Sequence, residues 1–198
     1  MASRLKYFIF NKPFKILSQF SDEPPNKGLS SILELPSDIY PVGRLDLDSE
    51  GLLLLTNDKK LNYRLLDPKQ RHSRIYWAQV EGRVSGEEFG RFQQGLEIRV
   101  GGKPYQTLPS KVKTIRPGNL FDRDPPVNVK KYPVTSWLEI QLIEGKNRQV
   151  RKMTASIGHP TLRLIRIGIE QLTLGDLAPG EVKMISQKSL YQKLNLTP

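Results

Sequence analysis

Three carboxylates crowd one short turn, Gly43-Arg44-Leu45-Asp46-Leu47-Asp48-Ser49-Glu50-Gly51. The residues that follow, Leu52-Leu53-Leu54-Leu55, form an apolar run that has to be buried, so the turn is anchored to a core on one side. A carboxylate held this way has restricted solvation and a defined direction, as nucleophilic or general-base chemistry requires. Turn chemistry alone also accounts for Asp, Ser and Gly at such a place. A calcium loop is a third reading, since Asp46, Asp48, Glu50 and Gly51 imitate its opening. It fails at the twelfth position, Asn57, where a bidentate glutamate is needed, and the flanks read as strands instead of helices.

A second stretch, Glu144-Gly145-Lys146-Asn147-Arg148-Gln149-Val150-Arg151-Lys152-Met153, carries the opposite charge. From Lys146 to Arg166 there are six basic residues, at 146, 148, 151, 152, 163 and 166, and no Asp or Glu. At about 100° per residue, Val150, Met153 and Ile157 share one helix face. Arg148 and Lys152 point away from it. Arg151 falls on the border, where an arginine can reach into a cleft while its stem stays packed. A solvated helix face usually mixes signs. A one-sign patch favours phosphate contact.

The elements that must position these groups are many short strands and few helices. The pattern predicts strands over 5–10 and 15–20 around an Asn-Lys-Pro turn, and a short helix over 29–35 with Leu29, Ile32 and Leu33 on one face. It predicts strands over 40–45 and 52–56, then a helix over 59–66 capped by Asn57 or Asp58. A strand over 74–81 follows. Ser85 and Glu88 form a capping box for a helix over 86–94 that Gly95 ends. Further strands are expected over 97–100, 111–116, 134–144, 162–169 and 182–186, with a helix over 149–157 capped by Asn147. Trp77 and Trp137 are expected in the core. Four prolines make 117–133 a long surface loop. Such a mixture in no regular alternation argues an α+β fold with a largely antiparallel mixed sheet and flanking helices.

Composition narrows the function. The chain has 198 residues, a formal net charge of +11 and no cysteine. The charge favours a nucleic-acid partner over a membrane. The missing thiols exclude disulfides, cysteine nucleophiles and cysteine-based zinc sites. His72 and His159 are the only histidines, too few for a multi-histidine metal site. No apolar run approaches the roughly 20 residues that span a bilayer. No signal-peptide pattern opens the chain, and the expectation is a cytoplasmic protein. No helix-turn-helix or zinc pattern supports a DNA-binding regulator.

Several ordered motifs resemble the RsuA/RluB/RluE group of pseudouridine synthases, and its E-type branch in particular. They are Phe10-Asn11-Lys12-Pro13, the stretch from Gly43-Arg44-Leu45-Asp46 to Thr56, Tyr76 within Ile75-Tyr76-Trp77-Ala78-Gln79-Val80-Glu81-Gly82, the run Glu144 to Met153, and Pro160-Thr161-Leu162-Arg163-Leu164-Ile165-Arg166. The resemblance spans nearly the whole chain. It implies the pseudouridine synthase fold with a central catalytic cleft, in one catalytic domain over 1–198 with no N-terminal S4 domain. It implies cofactor-free isomerisation of a uridine in ribosomal RNA, the 23S large-subunit RNA for the E-type branch, by a monomer with no metal. Asp46 would be the catalytic aspartate, Arg151 its basic partner, and Tyr76 the ring that stacks on the base. Arg44 and Leu164 would line the substrate pocket. Arg148, Lys152, Arg163 and Arg166 would contact RNA. An RNA-binding assembly factor on the same fold, without the chemistry, would share the charge but has no use for Asp46, Tyr76 and Arg151 together.

Overall fold

A computed structural model describes residues 4–118 and 120–197. In chain order its regular elements are β1 (Tyr7–Lys12), β2 (Tyr40–Val42), β3 (Glu50–Thr56), α1 (Lys59–Leu66), β4 (Arg74–Glu81), α2 (Gly86–Gln94), β5 (Glu97–Val100), β6 (Lys103–Gln106) and β7 (Lys111–Ile115). Then come β8 (Thr135–Leu142), α3 (Gln149–Ser156), β9 (Thr161–Ile169), β10 (Leu172–Thr173), β11 (Val182–Met184) and α4 (Gln187–Lys193). This is the expected α+β class. The chain divides into two compact units, Met1–His72 with Arg166–Pro198, and Ser73–Ile165.

In the first unit β1 lies between β11 and β3, antiparallel to both. The register runs from Tyr7 opposite Thr56 to Lys12 opposite Gly51. β2 pairs with the far end of β3. Every residue of β1 and β3 is buried. Tyr7, Ile9, Leu52 and Leu54 form one side of a core closed by Leu61 and Leu65 of α1 and by Leu190, Tyr191 and Leu194 at the C-terminal end. Asp58 ties three of these elements together. Its Oδ1 accepts from the Lys60 and Leu61 amides at the start of α1. Its Oδ2 accepts from the phenols of Tyr7, at 2.7 Å, and Tyr191, at 2.6 Å. Burial alone would raise this carboxyl, but the two phenols and two amides outweigh it and hold the group below its ordinary value of 3.8.

In the second unit the strand order is β4-β8-β7, all antiparallel, beside a separate β5–β6 hairpin. Ala78, Val80, Leu138, Ile140, Phe92, Val150 and Met153 build its core. The capping box forms as expected: Ser85 Oγ accepts from the Glu88 amide, and Glu88 Oε2 from the Ser85 amide. Gly95 ends α2 at φ 86°, and a Cβ there would meet the Thr107 carbonyl oxygen at 2.3 Å, so only glycine fits.

Several local expectations differ from the structure. Residues 15–20 form no strand. Lys15 turns at φ 60°, and the segment is spent on bracing the acidic turn. The helix over 29–35 shrinks to a single 3-10 turn at Leu29–Ser31. β6 and α4 went unforeseen. Trp77 and Trp137 lie half-buried on the face of β4 and β8 away from the core, where the Trp77 indole donates to Glu139 at 3.1 Å. The described residues of 117–133 hold no helix or strand, as four prolines require.

Candidate active site

The acidic turn is built by the first unit. Gly43 opens it at φ 70°, with Leu66 of α1 so near that a Cβ would approach Cδ2 to 2.9 Å. Leu45 is buried, and its backbone is clasped by one side chain: its amide donates to Ser18 Oγ at 3.0 Å and Ser18 Oγ donates to its carbonyl at 2.8 Å. The Asp46 carbonyl accepts from the Ser49 amide at 3.0 Å, and the Leu47 carbonyl from the Lys15 amide at 2.9 Å. Asp46 is thus half-buried on a loop fixed at the residue before and the residue after it. Arg44 stands exposed one residue before Leu45. Glu50 and Gly51 already belong to β3, so residues 46–57 do not follow the turning path of an EF-hand loop.

Beneath the turn sits a cation that has no assigned role in the sequence. Lys12 is fully buried. Its ammonium donates to the carbonyls of Pro13 at 2.8 Å and Ile16 at 2.7 Å. Burial lowers it to about 8, against the pull of Glu50, Asp48 and Asp46 and with the push of Arg166. Lys12 therefore does two jobs. It pins the 13–20 loop that clasps Leu45, and it places positive charge under three carboxylates. An apolar β1 ending in lysine was the available signal, since its neighbours Phe8, Phe10 and Leu53 are all buried.

Arg166, expected to contact RNA, is buried at 4% exposure, and its Nε donates to the Leu52 carbonyl at 2.8 Å. Arg163 is likewise buried, at 7%, and donates to the Phe121 carbonyl at 2.9 Å. Arg123 answers from the loop, with Nη1 on the Leu162 carbonyl at 3.1 Å and Nε on the Pro125 carbonyl at 2.8 Å. The two arginines at 163 and 123 lace the 117–133 loop to β9. Arg163 and Arg166 are thus buried, and each holds a backbone carbonyl within the fold.

The second unit carries the remaining expected residues. Tyr76 is half-buried on β4 and packs at the margin of a core that includes buried Leu164. Arg151 is half-buried on α3, with Nη1 donating to the Thr161 carbonyl at 3.3 Å. Arg148 is exposed, and it, not Asn147, is the cap of α3, in a left-handed conformation with φ 51°. Asn147 instead accepts from Lys152 Nζ at 3.1 Å. Glu144 and Gln149 set the approach to this helix. Glu144 accepts from Gln149 Nε2 at 2.6 Å, the Leu108 amide at 2.8 Å and the Tyr105 hydroxyl at 2.6 Å. Gln149 Oε1 accepts from the Lys146 amide at 2.9 Å. The bond to Glu144, with burial, pushes the Tyr105 phenol up to about 12. The motif from Glu144 to Arg151 is thus a braced turn that delivers Arg148 and Arg151 at a helix start.

The profile of the RNA pseudouridylate synthase family matches residues 6–156. The chain is 46% identical to ribosomal large subunit pseudouridine synthase E of Vibrio parahaemolyticus over 91% of its own length and 74% of that protein. It is 47% identical to the protein of the same name from Xanthomonas axonopodis pv. citri, over 86% of this chain and 89% of that one. It is also 33% identical to ribosomal large subunit pseudouridine synthase B of Bacillus subtilis, over 90% of this chain and 70% of that protein. A crystal structure of a pseudouridylate synthase superposes with a TM-score of 0.78 at 24% identity, over 96% of this chain and 74% of that one.

Proposed function

We propose that this chain, which belongs to the RNA pseudouridylate synthase family, isomerises a specific uridine of large-subunit (23S) ribosomal RNA, with Asp46 as its catalytic carboxylate. The supporting observation is the way residue 46 is held: a half-buried aspartate on a turn clasped at Leu45 and Leu47, over the buried ammonium of Lys12. The large-subunit target rests on the names of the relatives at 46–47% identity.

The reaction breaks the bond between C1′ of the ribose and N1 of uracil, turns the detached base, and forms a bond from C1′ to C5. The proton on C5 leaves and N1 gains one, so atoms balance without an oxidant or cofactor. Both a nucleophilic and a proton-abstracting role for Asp46 require the ionised carboxylate. In this reading Arg151 supplies the balancing cation. Tyr76 stacks on the uracil and assists the proton at C5, and Leu164 walls the pocket. Arg44, Arg148 and Lys152 hold the RNA backbone. A uridine within folded RNA has to leave its stack to reach the carboxylate, at a cost of a few kcal/mol, and the phosphate contacts offset it.

The whole chain acts here as one catalytic domain, in keeping with a family match that draws on both units. It works as a cytoplasmic monomer. Among the described residues no helix is long and apolar enough to cross a membrane. The test is a pseudouridine map of ribosomal RNA from cells with and without the gene. The loss of one large-subunit site, restored by the wild-type gene and not by Asp46→Ala, is expected. An unchanged map would leave the chain an RNA binder on this fold.

A further inference from the structure

The segment 59–71 holds five basic residues, Lys59, Lys60, Arg64, Lys69 and Arg71, against the single acid Asp67. Its helix, α1, buries Leu61 and Leu65. At about 100° per residue, Lys59, Tyr63 and Leu66 fall on the opposite face. Tyr63 is 74% exposed, more than any other large apolar or aromatic side chain among the described residues, and Leu66 is 42% exposed. A bare tyrosine is common enough on a surface. This one differs in its neighbours.

The acidic members of the neighbourhood are already committed. Asp58 is buried and caps α1. The Asp67 carboxylate accepts from the Lys69 amide at 3.0 Å, capping the 3-10 turn Pro68–Gln70. Arg64 is also committed, since it bonds the Thr197 carbonyl and lies 5.8 Å from the Tyr191 ring centroid. Lys59, Lys60, Lys69 and Arg71 are exposed, and among the described residues none of them enters an ion pair. The segment 59–71 therefore presents one exposed aromatic ring and four uncompensated cations, two on α1 and two in and just after the 3-10 turn that follows it. It also adjoins the catalytic turn, because Leu66, one helical turn from Tyr63, is the side chain that presses on Gly43, the residue before exposed Arg44.

We propose that α1 and the 3-10 turn after it form a binding site for single-stranded RNA flanking the target uridine, with Tyr63 as a stacking platform for an unpaired base and Lys59, Lys69 and Arg71 on phosphates. Aromatic rings among cations suit single-stranded RNA because every base has a π-face, while the backbone supplies the charge. The site extends the grip that Arg44 begins, so it rests on the proposed reaction at Asp46 and adds a substrate subsite to it.

The test measures binding of a fluorescein-labelled single-stranded oligouridylate to the full chain by anisotropy. Tyr63→Ala is expected to raise Kd about tenfold, as loss of one stacked base does, while Tyr63→Phe stays within about twofold because it keeps the ring. Replacing Lys59 and Lys69 by Gln should flatten the slope of log Kd against log salt by about 0.7 for each lysine. If Tyr63→Ala binds like wild type, or Tyr63→Phe is as weak as Tyr63→Ala, the stacking site is overturned. The proposed reaction fails on a separate reading, when wild-type protein forms no pseudouridine in ribosomal RNA. Wild-type activity with an indifferent Tyr63→Ala sinks the subsite alone.

Discussion

Ser18 and Leu45 exchange two hydrogen bonds through one hydroxyl, which accepts from the Leu45 amide at 3.0 Å and donates to its carbonyl at 2.8 Å. The residue before Asp46 is thereby fixed by a side chain 27 positions away. Ser18→Ala leaves a buried amide and carbonyl without that partner, at a cost of about 1–3 kcal/mol. The expected outcome is a fold that survives with a lower Tm and a kcat reduced about tenfold or more, since small misplacements of a reacting group are costly. An alanine variant with wild-type kcat would show that the clasp does not position Asp46.

Lys12 is the second support. Lys12→Met removes a buried cation from beneath Asp46, Asp48 and Glu50 and frees the Pro13 and Ile16 carbonyls. Taking one charge out of a buried group destabilises by about 3–5 kcal/mol. Urea denaturation should register most of this as a lower midpoint with an unchanged slope. A variant as stable as wild type would mean that the carboxylates need no counter-charge from below.

Asp58 gives the protein an acid limit. Its folded carboxyl is held below the ordinary 3.8, so its stabilisation is complete above that value. It is lost as the pH falls through the ordinary value and on through the lower folded one. Asp58→Ala should lose about 3 kcal/mol at neutral pH, from the helix cap and the two phenol bonds. The variant's stability should also change less between about pH 5 and 3 than that of wild type. Parallel Tm-against-pH curves for the two proteins would contradict this.

Charge reversal separates surface cations from internal ones. Arg148→Glu, at an exposed site, should weaken RNA binding, raise KM and reduce its salt dependence while leaving Tm near wild type. Arg163→Glu and Arg166→Glu, at buried sites, should lower Tm sharply. Equal effects of all three on RNA affinity with no loss of stability would reverse the division.

How much of this was legible beforehand follows from where each signal lies in the chain. α1, β4, α2 and β5 occur at the residues their periodicity and caps predicted, because those signals are local: Asp58 ahead of α1, Ser85 with Glu88, alternation from Arg74. Segment 15–20 looks like a strand by composition, yet its role depends on a contact with Leu45 that no local pattern records. Arg163 and Arg166 count as surface charge in any tally of basic residues. Their burial is decided by carbonyls at Phe121 and Leu52, 42 and 114 positions away. α4 has polar spacing with only Leu190 and Tyr191 buried, too few apolar positions for periodicity to reveal. The site residues were named by motif resemblance. Lys12 and Glu144, which hold the motifs in shape, belonged to those motifs without a role until their hydrogen bonds were visible.

The most direct measurement is pseudouridine content, by mass spectrometry, of ribosomal RNA from a strain lacking the gene after incubation with purified Asp46→Asn protein. Asparagine keeps the shape of residue 46 and removes its charge, so the RNA should stay unmodified while the protein retains the wild-type Tm and binds the RNA normally. Pseudouridine formed at the wild-type rate would show that the carboxylate at 46 does not carry the chemistry.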